Sequence, residues 1–314
     1  MSKILTIGEI LVEIVATRRG NGFREAVPLI GPFPSGAPAI FIDQVGKLGQ
    51  KCAIISRVGD DDFGWVNIDR LTQDGVDVSG IDVVPHGTTG SAFVRYREDG
   101  GRAFVFNIRH SACGQIDLSD KTLALIDTCT HMHVMGTALY APSVITSILT
   151  AVERIKAAGG TVSFDPNLRL EILDSPGMRE ALQTVLSMTD LFMPSGEELF
   201  LFAEAKTEKD AVDELLARNI KAIVVKRGDK GASYYDKDTQ IDLDSYRVEE
   251  VDPTGAGDCF GAAFVTFWLQ GMNPADVLRY ANAAGARAVT RAGPMEGAST
   301  RAELEALIQA QGNG

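Results

Sequence analysis

Cysteine, histidine, tryptophan and basic side chains are all scarce in this chain. Four cysteines, four histidines and two tryptophans occur among 314 residues. Cys52, Cys113, Cys129 and Cys259 are scattered without paired spacing, which argues against a disulfide framework or a cysteine zinc site and leaves reduced thiols. Long apolar runs are missing too: stretches such as FGAAFVTFWL are far too short to span a bilayer. The start, MSKILTIGEI, lacks the apolar core and cleavage site of a signal peptide and reads as a strand, so the expected location is the cytoplasm. Lysine and arginine number 30 against 42 acidic residues, a formal net charge of −12. That balance argues against nucleic acid or an anionic membrane as a partner. A local anion site remains open, because a few amides and arginines can outweigh the mean field.

What is present is ordinary globular material, 45% hydrophobic and 23% charged. Short β-branched runs (KILTIG, CAIISRVG, HMHVMG, TVSFDP, DLFMP, AIVVKRG) read as buried strands, each closed by Gly or Pro. Amphipathic stretches separate them, among them SVITSILTAVERIKAAGG and TEKDAVDELLARN. The alternation predicts an α/β fold, a doubly wound, mostly parallel sheet with helices on both faces, formed by residues 1–314 as a single domain. One segment breaks the rhythm. SAFVRYREDGGRAFVFNI, residues 91–108, has a hairpin pattern around DGG, with Phe104, Phe106 and Ile108 on one face. A lone ribbon is not stable in water. It is expected to join the strand-like region 11–34 in a small β-sheet lid built from about 11–34 and 88–110.

The chemistry concentrates in DPTGAGDCFGAAF, residues 252–264. Pro253 and Gly255 interrupt regular structure, and the spacing of Phe260, Phe264 and Phe267 predicts a helix that buries one apolar face. TGAGD therefore sits at a helix N-terminus, where unpaired N–H groups and the helix dipole favour an anion. Asp258 is either dipole-stabilised decoration there or a reactive carboxylate. The glycines at 255, 257 and 261 do not fit G-x-G-x-x-G, and no G-x-x-x-x-G-K-[ST] occurs, so dinucleotide and P-loop folds are disfavoured.

DPTGAGDCFGAAF resembles the C-terminal signature of the ribokinase-like (PfkB) carbohydrate kinases. LTIGEILVEI, SGAPAIFIDQVGKLG, RVGDDDFG, SFDPNLR, MPSGEEL and VVKRGDKGA resemble other family elements in family order. The resemblance implies a large α/β unit with a β lid, and transfer of a phosphoryl group from ATP, with Mg²⁺, to a sugar hydroxyl. It implies Asp258 as general base, with the N–H groups of Gly255, Ala256 and Gly257 as an anion hole. It places Glu13, Gly36, Ala37, Arg109, Arg169 and Asp258 at the sugar, and Ser195, Lys226, Gly228, Gly231, Gly255, Gly257 and Asn282 at the nucleotide. Glu198 would act on Mg²⁺ indirectly, and Asp252 and Thr254 would border a monovalent cation such as K⁺. Four positions depart from the pattern: Ser195 for Asn, Glu13 for a sugar-binding Asp, Ser35 for the first Gly of a pair, and Ile40 for Asn.

Arg109 and Arg169 resemble arginines bordering the sugar of ketoaldonate kinases and fructokinases, and together could clamp a carboxylate. Asn107 stands where the ketoaldonate kinases carry tyrosine. With Glu13 and Ile40, this favours a neutral ketohexose over 2-keto-3-deoxygluconate. The whole-chain pattern, notably GPFPSGAPAIFIDQVGKLG, resembles bacterial tagatose kinases, which implies D-tagatose, or D-fructose, as the sugar. A nucleoside kinase is a further alternative. The rival from another class is a sugar-responsive binding protein without turnover. The lid ribbon carries apolar residues on both faces, so a homodimer through the lid is expected. His131 and His133 point to one side of their strand, either as a metal pair without a visible third ligand or as packing. Cys259 is either an activated thiol or a buried filler.

Overall fold

The computed structural model describes residues 2–20, 22–98, 101–168 and 176–312. In chain order its strands are β1 (Ile4–Ile7), β2 (Leu11–Ala16), β3 (Leu29–Ser35), β4 (Cys52–Gly59), β5 (Asp77–Val84), β6 (Gly90–Tyr96), β7 (Arg102–Asn107), β8 (His131–Met135), β9 (Thr161–Asp165), β10 (Leu191–Phe192), β11 (Ala222–Lys226), β12 (Ala232–Tyr235) and β13 (Gln240–Leu243). The helices are α1 (Ala37–Lys47), α2 (Asp62–Gln73), α3 (Asp120–Asp127), α4 (Pro142–Ala157), α5 (Met178–Ser187), α6 (Glu208–Leu216), α7 (Ala256–Leu269), α8 (Pro274–Ala288) and α9 (Arg301–Gln311).

Nine strands form one sheet in the order β13-β12-β11-β10-β9-β8-β1-β4-β5. The pairs from β5 to β11 are parallel, and β12 and β13 add an antiparallel edge. Alternate residues of each strand feed two cores. Leu5, Ile7, Ile223 and Val225 pack beneath α3 to α6. Ile4, Ala222 and Val224 pack beneath α1, α2, α7, α8 and α9. Burial on both faces explains why these strands read as continuous apolar runs. The expected α/β architecture is therefore present, and so is the core role of Phe260, Phe264 and Phe267, all buried.

The chain leaves β1 for β4 and β5 on one side, and returns to β8, β9, β10 and β11 on the other. The sheet order thus reverses between β1 and β8. Two connections diverge there, opening a crevice at the strand carboxyl ends. A second, four-stranded sheet, β3-β2-β6-β7, joins the segments expected to form the lid. In it β2 runs parallel to β6, while β2–β3 and β6–β7 are antiparallel.

Close approach shapes the crevice floor. Gly136 follows β8, and a Cβ there would lie 2.1 Å from the carbonyl oxygen of Pro166, just past β9. Gly136→Ala is expected to lower the unfolding free energy by about 1–3 kcal/mol through overpacking. Urea denaturation measures this; an unchanged midpoint would mean that the contact constrains nothing.

Candidate active site

A cavity of about 360 Å³ opens at the switch point, between the strand ends and the lid. Its floor is the N-terminus of α7. Gly255 precedes that helix with φ 82°, and a Cβ on it would lie 2.4 Å from the Pro294 carbonyl oxygen, so only glycine fits this turn. The first main-chain bond of the helix is Cys259 N–H to Gly255 C=O. The N–H groups of Ala256 and Gly257 stand ahead of it, without an intrahelical acceptor. Gly255, Gly257 and Asp258 line the cavity; Ala256 is not among the described residues lining it. Asp258 is buried, and its Oδ1 accepts a hydrogen bond from Asn167 Nδ2 at 3.0 Å.

Asn167 was not singled out in the sequence, although the DPN turn that carries it was. It holds φ 41°, unusual for a residue with a side chain, and its N–H donates to Asp165 Oδ1 at 3.2 Å. Asp165 ends β9, is fully buried and contacts Lys226 Nζ from β11. Burial pushes the Asp165 carboxyl up, while the lysine ammonium pulls it down. The same ammonium lies 3.9 Å from where a Cβ on Gly257 would be. A positive charge therefore stands beside the helix N-terminus, and the two together fit a phosphate group.

Glu198 braces two loops. Its two carboxylate oxygens accept the N–H groups of Leu168 and Ser195, at 2.6 and 2.7 Å, and so tie the ends of β9 and β10 together. Burial raises its pKa, with the nearby Asp165 charge adding to the effect. No group of three His, Cys, Asp or Glu able to hold a metal occurs among the described residues. A divalent ion here would be held largely by phosphate oxygens and water. Ser195 lines the cavity beside Lys226. Gly228 and Gly231 lie in the β11–β12 connection, and Asn282 on α8 donates to the carbonyls of Leu243 and Asp244. These three are not among the described lining residues.

Glu9, which follows β1, and Glu13, which projects from β2, also line the cavity; both are buried. Ser35 Oγ donates to Glu13 Oε1 at 3.0 Å, so the serine that departs from the expected glycine orients the glutamate that departs from the expected aspartate. Gly36, Ala37 and Ile40 come from the start of α1, and Arg109 from the chain following the lid. Arg169 lies outside the described residues. Thr137, just past β8, also lines the cavity; its Oγ1 is buried without a hydrogen-bond partner among the described residues. Neither Glu9 nor Thr137 was singled out in the sequence, and only their places at the strand ends of the switch point could have signalled them.

Asp252 and Thr254 are both buried. Asp252 accepts the Thr254 and Gly293 N–H groups on its two oxygens, at 3.0 and 3.1 Å. His131 Nε2 and His133 Nδ1 share the Ser163 hydroxyl, at 2.8 and 2.7 Å, and His133 stacks on Phe41. Burial depresses both imidazoles, His131 to about 3 and His133 well below its ordinary value, so both are neutral near pH 7. Cys259 is fully buried, and burial pushes its thiol well up, which makes it a filler and not an activated thiol.

A carboxylate set at a helix N-terminus, a lysine beside it and a polar recess beneath a β lid together suit transfer of a phosphoryl group to a hydroxyl. The chain matches the pfkB family carbohydrate kinase profile over residues 1–301, and it belongs to that family. The fold is ribokinase-like. An E. coli protein provisionally named a ribokinase II is 50% identical, with a TM-score of 0.95 over 99% of this chain and 100% of that one. Another structure of that name from E. coli holds ATP and Mg²⁺. A double mutant of the Vibrio cholerae O395 fructokinase, bound to fructose, ADP and potassium, is 28% identical, with a TM-score of 0.83 over 98% of both chains. Fructokinase-1 of Zea mays is 33% identical over 98% of this chain and 97% of its own. The protein is thus a carbohydrate kinase, a phosphotransferase acting on a sugar hydroxyl. No helix among the described residues is long and apolar enough to cross a membrane.

Because Asn167 fixes the Asp258 carboxylate, Asn167→Ala is expected to lower kcat by about a hundredfold while leaving the melting temperature near that of the wild type. Steady-state kinetics with a melting curve test this; an unchanged kcat would remove Asn167 from the site.

Proposed function

We propose that the protein is an ATP- and Mg²⁺-dependent ketohexose kinase, acting on D-tagatose or D-fructose. The observation that carries this reading is the placement of Asp258 and the α7 N-terminus in one cavity with two buried glutamates. Glu9 and Glu13 offer buried carboxyl groups as hydrogen-bond partners to sugar hydroxyls, which suits a neutral sugar. Thr137 Oγ1 supplies a further hydroxyl partner, with Gly36, Ala37 and Arg109 closing the recess. The similarity to fructokinases in sequence and fold supports the same class.

ATP supplies the phosphoryl group, its charge shared with Mg²⁺. Asp258 takes the proton of the attacking hydroxyl, and Asn167 holds the carboxylate in line. The Gly255, Ala256 and Gly257 amides and the Lys226 ammonium receive the phosphate charge. Ser195, Gly228, Gly231 and Asn282 are assigned to the nucleotide side, with Glu198 bracing the loops that meet Mg²⁺ and its water. Main-chain oxygens around Asp252 and Thr254 are assigned to K⁺, since the Asp252 carboxylate already receives two amides. Residues 1–314 are read as one domain that carries its lid, working in the cytoplasm.

Asp258→Asn is expected to keep the fold and sugar binding but to lower kcat by about a thousandfold or more. A panel of D-tagatose, D-fructose and 2-keto-3-deoxygluconate, with ATP, Mg²⁺ and ADP readout, tests the substrate. Preferred turnover of the ketoaldonate would overturn the neutral-sugar reading, and no ADP release from any sugar would favour a binding protein.

The outer lid is the proposed dimer contact, because Leu29, Ile30 and Val105 stand 46%, 50% and 55% exposed on its strands. Light scattering at micromolar concentration is expected to give twice the chain mass; a monomer would contradict it.

A further inference from the structure

The lid touches the catalytic turn through two side chains that face each other across its ribbon. Tyr96 on β6 pairs in register with Arg102 on β7. Arg102 Nη1 donates to Thr254 Oγ1 at 2.9 Å, and Tyr96 OH reaches Asp252 Oδ1 at 3.4 Å. The two contacts thus fall on one three-residue stretch, more than 150 positions away in the chain.

That stretch is already built to transmit a displacement. Asp252 accepts the N–H groups of Thr254 and Gly293, the residues just before Gly255 and just before the Pro294 carbonyl that Gly255 abuts. Thr254 immediately precedes Gly255, whose main chain fixes the direction of the Ala256 and Gly257 amides. The guanidinium is itself steadied, 5.8 Å over the Phe104 ring on the same strand face. Arg102 also lines the cavity that Asp258 lines, so the lid brings a charged group to the edge of the reacting region.

We propose that Arg102 is a positioning residue for phosphoryl transfer: through the Thr254 hydroxyl it seats the Thr254–Gly257 turn and holds the amides in the alignment that the transferring group needs. The inference rests on the kinase reading, because alignment of the amides matters only if a phosphoryl group passes there.

The test is a double-mutant cycle on Arg102→Ala, Thr254→Val and the combined variant, run with the sugar that the wild type turns over fastest. Each single change is expected to lower kcat about ten- to a hundredfold, with the sugar KM moving less than about threefold. The double variant is expected to lose little more than either single one, because both remove the same bond. Arg102→Lys is expected to recover part of kcat. Amide hydrogen exchange supplies a readout independent of turnover: residues 254–258 are expected to exchange faster in Arg102→Ala, with the rest of α7 unchanged. Additive losses of kcat, a loss confined to KM, or unchanged exchange at the turn would each overturn the proposal. Normal wild-type turnover with any of those results leaves the kinase reading standing. Absence of wild-type ADP release from every sugar would overturn both.

Discussion

The site depends on one steric constraint: the turn into α7 passes so close to Pro294 that no side chain can be accommodated at Gly255. A positive φ there turns the chain into the helix and brings Gly257 and Asp258 to the cavity. Asp258, in the first turn of the helix, then stands beside the leading amides, and Asn167 holds its carboxylate. The anion site and the base proposed here thus fall on adjacent residues of one helix whose body is buried in the core. Rigidity of that kind suits phosphoryl transfer, where positioning and fixed charge do most of the work.

Charge is distributed with the same economy. The chain is acidic overall, yet the cavity sets Lys226, Arg102 and Arg109 against Glu9, Glu13 and Asp258. The cations lie near the helix turn or the lid, whereas Glu9 lies just past β1 and Glu13 within β2. Lys226 would be costly to bury alone; Asp165 beneath it offsets that cost and holds the ammonium near Gly257. The neutral imidazoles of His131 and His133 continue the polar layer into the sheet without adding charge.

Much of this was legible in the sequence, for particular reasons. Apolar runs alternating with amphipathic stretches report the two-faced sheet, because each parallel strand is buried on both sides. The DGG ribbon announces a second sheet, because two strands alone are not stable in water. The α7 turn is legible because glycine, proline and aspartate are each demanded by local backbone or dipole. Asn167, Thr137 and Glu9 were not. Each matters through where its strand ends relative to β1 and β8, and nothing local distinguishes it from loop or strand polar residues. Glu198 was placed near the chemistry; its bond to the Ser195 amide belongs to a capping box that the S-x-x-E spacing spells out, whereas its bond to the Leu168 amide joins distant loops and was not visible. Arg102 reads as a solvated hairpin arginine until the lid is folded against Thr254.

The same contrast explains why the reaction class is easier to read than the sugar. The groups proposed for the reaction lie in consecutive residues, TGAGD, whose geometry is nearly determined by their own backbone. Those proposed for the sugar, Glu9, Glu13, Ser35, Thr137 and Arg109, come from two strands, two strand exits and the chain leaving the lid. Each contributes one or two hydrogen bonds, and epimers differ only in the direction of one hydroxyl. On the proposed reading, a small displacement of Glu13, which Ser35 orients, would change which hydroxyl meets Asp258. Serine at 35 and glutamate at 13 would then act as a pair, because the serine hydroxyl donates to the longer acid. Selectivity in this fold is expected to change through such coupled pairs at the strand ends, while the α7 turn stays fixed.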